Sequence, residues 1–167
     1  MRLIFLILFP IISFSQEQWT GLHLQKDLTK RIKFNLKTEA RFGEEIKTFV
    51  QPSIYIKWKV KFNVGYRVKT GYPNRVFLDT YKGVKLKSIY LQYRLRLQQE
   101  DTFTLRNKVK AIYKKAFVST ELSTFNFRFR TTIGATFKII DNIRLLVFYR
   151  WQTDNDHITG TILKIQI

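Results

Sequence analysis

Between residues 31 and 42 the chain alternates without a break: Ile32, Phe34, Leu36, Thr38, Ala40 and Phe42 fall on one side, Arg31, Lys33, Asn35, Lys37, Glu39 and Arg41 on the other. A period of two sends successive side chains to opposite faces, so this stretch predicts a strand with one apolar and one polar face. The pattern returns with Val60, Phe62, Val64, Tyr66 and Val68 against Lys61, Asn63, Gly65, Arg67 and Lys69, and with Ile89, Leu91, Tyr93, Leu95 and Leu97 against Tyr90, Gln92, Arg94, Arg96 and Gln98. It returns again over residues 125 to 138, where phenylalanines at 125, 127, 129 and 137 oppose Arg128, Arg130 and Lys138, and over 143 to 151, where Ile143, Leu145, Val147, Tyr149 and Trp151 oppose Arg144 and Arg150. Weaker versions occupy 18 to 25, 47 to 58, 75 to 86, 103 to 113, 115 to 123 and 157 to 167. The count is roughly eleven strands of about ten residues, the length of a tilted strand that crosses a bilayer.

The same alternation describes a soluble sandwich or a lipocalin-like barrel with its apolar face turned inward. Three features favour the opposite orientation, in which the apolar face meets lipid and the polar face lines a lumen. Apolar-face aromatics gather near strand ends: Phe42, Tyr72, Phe125, Tyr149 and Trp151 at one edge, Trp58, Tyr113 and Phe137 at the other, as interfacial girdles do. Connections near 26 to 30, 57 to 60, 86 to 88, 113 to 115 and 138 to 142 are compact, whereas most of those near 43 to 47, 69 to 75, 98 to 103 and 152 to 157 are longer and more polar, matching short periplasmic turns and longer outer loops. The last strand runs to the end of the sequence with Leu163, Ile165 and Ile167 on one face, and looks like the terminal strand of outer-membrane proteins, which usually carry an aromatic where Ile167 stands. The predicted fold is all-β: an antiparallel up-and-down transmembrane β-barrel of 10 to 12 strands. Because bacterial single-chain barrels have even strand numbers, twelve is favoured and the count of eleven is expected to be in error.

Export fits this reading. Met1 and Arg2 begin the chain, an apolar run follows from Leu3 to Phe14, and Ser13-Phe14-Ser15 offers small residues at the positions a signal peptidase reads. Residues 1 to 15 are expected to be a cleaved secretory signal and residues 16 to 167 a single barrel domain in the cell outer membrane. The apolar run is too short for the ~20 residues of a membrane helix. Composition then narrows the partners. There is no cysteine, which excludes disulfides and thiolate chemistry, and 30 lysines and arginines against 12 acidic residues give a net charge of +18. Such an excess points to a polyanion. Outside the cytoplasm that partner is not nucleic acid; outer-membrane lipid is expected, together with anionic headgroups or a periplasmic polyanion.

Several short motifs carry a resemblance: Trp19-Thr20, Tyr93-Arg94-Leu95-Arg96 with Gln98, Leu105-Arg106-Asn107-Lys108, Glu121, the run from Phe129-Arg130 to Gly134, and Tyr149. On these the chain resembles a family of bacterial outer-membrane proteins known as domain of unknown function 2490, across nearly the whole of residues 16 to 167. The resemblance implies an outer-membrane barrel of Gram-negative bacteria and adds no mechanism.

The candidate chemistry lies on the polar face. Arg41, Arg67, Arg94, Arg96, Arg106, Arg128, Arg130 and Arg150 share it with Glu39, Asp79 and Glu121, and form either a salt-bridge lattice that fills the lumen or a basic surface for an anion. A second group, Lys57, Lys59, Lys85, Lys87, Lys114 and Lys115, together with Lys26, Lys30, Arg31, Lys61, Lys138 and Arg144, falls in or beside the short connections. The acids Glu44, Glu45, Glu100, Asp101, Asp154 and Asp156 fall in the long ones. One rim is therefore expected to be strongly basic, either to snorkel or to bind anionic lipid. His157 near Asp154 and Asp156 is the one candidate for water activation in a loop, against the plainer reading of a solvated turn; His23 reads as a packed or rim histidine. No metal-ligand spacing or phosphate-binding glycine loop is present, and no cofactor is expected. Three functions stay open: a plugged structural or interaction barrel, a barrel that binds or passes small anions or acidic glycans, and a loop-based hydrolase.

Overall fold

The computed structural model describes residues 17–43, 46–99, 102–124, 127–153 and 157–167. The expected signal, residues 1 to 15, lies outside them, as do Phe125 and the acids at 44, 45, 100, 101, 154 and 156. The described residues are all-β. Eleven strands follow in order: β1 (Glu17–Asp27), β2 (Ile32–Phe42), β3 (Lys47–Lys57), β4 (Lys61–Lys69), β5 (Tyr72–Leu86), β6 (Ile89–Gln99), β7 (Phe103–Tyr113), β8 (Ala116–Ser123), β9 (Phe129–Ile140), β10 (Ile143–Gln152) and β11 (His157–Gln166). Each pairs with its sequence neighbours antiparallel, and β1 closes on β11 in a parallel ladder running from Glu17↔Ile158 to Gln25↔Gln166.

Eleven strands correct the expectation of an even number. Alternating strands of an odd count leave the first and last running in the same direction, and a parallel ladder satisfies their backbone groups as an antiparallel one does, with slanted bonds. Two boundaries also differ. The connection expected over 69 to 75 shrinks to Thr70 and Gly71, where Gly71 takes φ 73 and β5 starts at once. The strand expected from 125 starts only at Phe129, because Phe127 adopts φ 46, outside the extended region that a strand requires.

Orientation follows from exposure. The apolar phase points outward: Val64, Val76, Val109, Val118 and Ile133 all stand exposed, Val76 at 53 %. The polar phase points inward, where Gln51, Asn63 and Asp79 are buried, Asp79 at 0 %. A soluble sandwich or lipocalin-like barrel would show the reverse. On the outer face, Phe42 stands exposed near the loop end and Tyr113 near the turn end, Trp58 lies in the β3–β4 turn, and Phe129 packs edge-on to Trp151 at 6.3 Å.

Apolar side chains occupy part of the interior. Trp19, Phe148, Ile158 and Ile162 form a buried cluster on β1, β10 and β11, with Phe117 and Leu146 against it. Trp19 meets Phe148 edge-on at 5.8 Å and Phe49 at 6.3 Å, so the aromatic rings knit the parallel seam to β3 and β10. Gly160 makes room for this: a Cβ there would lie 2.4 Å from Phe148 Cζ.

Candidate functional site

The two-residue turn at 87 and 88 sets Asp79 on β5 directly opposite Arg96 on β6. Arg96 grips it as a fork, Nε to Oδ1 at 2.6 Å and Nη2 to Oδ2 at 2.8 Å. Tyr81 donates its hydroxyl to Oδ2 at 2.9 Å and Asn63 its amide at 3.3 Å, while Arg94 stands 3.9 Å away. The guanidinium of Arg96 also lies over Phe77, 4.3 Å from its centroid. Because Asp79 is wholly buried and Arg96 is 7 % exposed, this fork sits in a region screened from solvent, where paired charges attract strongly and unpaired ones are costly.

Glu121 on β8 is the second anchor. Arg94 pairs with it at short range, Arg130 at 3.4 Å and Arg106 at 3.8 Å, so one carboxylate draws three guanidinium groups from β6, β7 and β9. The remaining inward arginines use other partners. Arg67 donates from Nε to Gln51 at 2.7 Å, and Arg150 from Nε to Thr132 at 3.0 Å. Arg41 lies 3.5 Å from the Trp19 centroid and 4.7 Å from that of Phe49, with Glu17 at 3.9 Å; Arg150 covers the same indole from 4.6 Å. Stacked guanidinium groups keep their charge in contact with π faces.

Of the residues singled out from the sequence, Arg41, Arg67, Arg94, Arg96, Arg106, Arg130, Arg150, Glu39, Asp79 and Glu121 all point into the barrel, as their strand registers require. Arg128 stands just ahead of β9, two residues from Arg130, where its carbonyl accepts a bond from the Ser123 amide. The Nε atoms of Arg41, Arg94, Arg106 and Arg130 are buried without a hydrogen-bond partner among the described residues. Basic groups therefore exceed the acids that hold them, and charge on this wall persists only with solvent or counter-ions in reach.

The aromatic half of the filling escaped the alternation pattern. Trp19, Phe49, Phe77, Phe117 and Phe148 occupy polar-phase positions, and apolar residues at that phase are the signal that marks them. Glu39 pairs with His23 at 2.9 Å across the β1–β2 hairpin. His157 opens β11, and its Nδ1 shares a short hydrogen bond with the Tyr149 hydroxyl. Among the described residues no group of three or more His, Asp and Glu is placed to hold a metal ion.

The rim lysines all collect at one end. Lys57 and Lys59 stand at or in the β3–β4 turn, Lys85 and Lys87 at or in the β5–β6 turn, and Lys114 and Lys115 form the β7–β8 turn. A cleft of about 610 Å³ lies at that end, lined by Lys30, Arg31, Lys57, Trp58 and Lys59. No family model matches the chain, and no curated protein matches it.

Proposed function

We propose that the chain is an exported, Gram-negative outer-membrane β-barrel whose plugged lumen does not conduct, and which acts through its rims as a structural or interaction protein. The observation that carries this reading is the inverted orientation of the barrel: aliphatic residues outward and exposed, polar residues inward, with Asp79 and Arg96 buried among them. A closed sheet with an apolar outer wall leaves no backbone group unpaired in lipid. The resemblance to domain of unknown function 2490 belongs to the same proposal. Against conduction stand the Trp19 cluster beside the seam and the two arginine-carboxylate knots, which occupy the lumen from different walls.

The test is reconstitution of the folded chain into planar bilayers. No steady conductance is expected, and anion-selective steps would replace the plug with a pathway for small anions. A stable monomer in buffer without detergent would overturn the membrane reading itself. The reading extends to lipid partners: the cleft between the β1–β2 and β3–β4 turns offers four cations and an indole that is 69 % exposed, a combination suited to anionic headgroups at an interface.

A further inference from the structure

Where the lumen opens at the turn end, its chemistry changes. Four inward positions stand there side by side across four strands: Lys37 on β2 is registered with His23 on β1, His23 with Lys164 on β11, and Lys164 with Arg144 on β10. One row nearer the rim, Gln25 lies between Asn35 and Gln166. These side chains line a cavity of about 240 Å³. The next row inward holds Glu39, Gly21 and Ile162, the last a member of the buried apolar cluster.

The nearby carboxylates are engaged elsewhere. Glu39 holds His23, Asp27 holds Lys33 at 2.8 Å, and Asp141, which itself lines the cavity, holds Lys138 at short range. Among the described residues none forms an ion pair with Lys37, Lys164 or Arg144. Three cations thus line one cavity, with neutral amides one row nearer the rim.

We infer that this vestibule binds a single phosphate group, as free phosphate or as the phosphomonoester of a headgroup. Two lysine point charges and an arginine fork supply complementary charge, and the amides of Asn35 and Gln25 supply neutral hydrogen bonds to the remaining oxygens, while the Gln166 amide donates to Asp27 at 3.4 Å. A cavity of about 240 Å³ has room for a phosphate with a short ester substituent. The inference does not rest on the membrane reading, because the barrel interior is the same wall whatever surrounds the outside.

The full chain, folded in detergent or, if it proves soluble, in buffer, is titrated with inorganic phosphate and separately with glycerol 3-phosphate by calorimetry at low salt. Saturable one-to-one binding is expected for at least one of them: phosphate binding identifies the free ion as sufficient, and binding of the ester alone identifies a headgroup. Lys164→Gln and Arg144→Gln should each weaken it by about tenfold, the worth of one charge-assisted hydrogen bond. Lys82→Gln, on the exposed outer wall, should not change it. In the unmodified protein, bound ligand should shield Lys37 and Lys164, but not Lys82, from acetylation, a readout that survives any folding defect of the variants. No saturable binding of either compound, or equal labelling with and without them, overturns the proposal.

Discussion

Replacing Asp79 by alanine should be among the most damaging single changes in this barrel. The substitution removes both oxygens of a two-bond fork and the acceptor for Tyr81 and Asn63, at a site of zero exposure, and strands the Arg96 guanidinium at 7 % exposure. Breaking a buried pair by deleting one partner costs about 3–5 kcal/mol, most of it from the charge left behind. With a urea dependence of ~1–3 kcal/mol per molar, the unfolding midpoint should fall by about 2 M. The assay is reversible urea unfolding of the reconstituted protein followed by tryptophan fluorescence, which Trp19 reports from the buried cluster. The double variant Asp79→Leu with Arg96→Met should recover most of the loss, because an apolar pair of similar volume leaves no unpaired charge. A single variant that costs less than about 1 kcal/mol, or a double variant as unstable as the single one, would refute the claim that this fork is dry and tightly coupled.

Other outcomes follow from the same geometry. Gly160→Ala should destabilise by about 1–3 kcal/mol, since its methyl would lie 2.4 Å from Phe148 Cζ and 2.9 Å from Trp19 Cβ, and Phe148→Leu in the same chain should recover part of it; an unaffected midpoint would show that the ring moves freely. Lys87 holds φ 51 in the β5–β6 turn, so Lys87→Gly should stabilise by about 0.5–1 kcal/mol in the same urea assay, and a loss would mean that the lysine side chain does more than tolerate the turn. Changing Lys57, Lys59, Lys85, Lys87, Lys114 and Lys115 together to glutamine should weaken association with vesicles rich in anionic lipid and flatten its salt dependence, while binding to neutral vesicles stays level; equal, salt-independent binding by both proteins would reduce the basic rim to solubility and snorkelling.

The sequence makes the local part of this fold legible and hides the part that depends on closure. The unbroken alternation of β2 marks both its faces, and a two-residue turn at 87 and 88 is enough to place Asp79 opposite Arg96. Which face meets the interior is harder, because lipocalins carry the same alternation; aromatic placement and loop lengths, not period, point the right way. The Glu121 knot needs two turns and three strands to bring Arg94 within reach, 27 residues away. The row from Lys37 to Arg144 crosses the seam between β1 and β11, whose pairing no turn dictates, and so does the contact of Trp19 with Phe148. The count of eleven, by contrast, is legible in the alternation itself, and only the rule of even strand numbers argues against it; what stays hidden is that β1 meets β11 in parallel.

That odd count separates the two extremities of the barrel. β1 begins at the loop rim and β11 ends at the turn rim, so the wall is entered on one side and left on the other. Reporters fused just ahead of β1 and just after β11 will sit on opposite rims, whereas in an even barrel they would share one. A circular permutant joining them needs a linker that climbs the full height of the wall, roughly 25–35 Å for ten tilted residues at ~3.4 Å each. A hairpin-length join, sufficient in an even barrel, will not close this one.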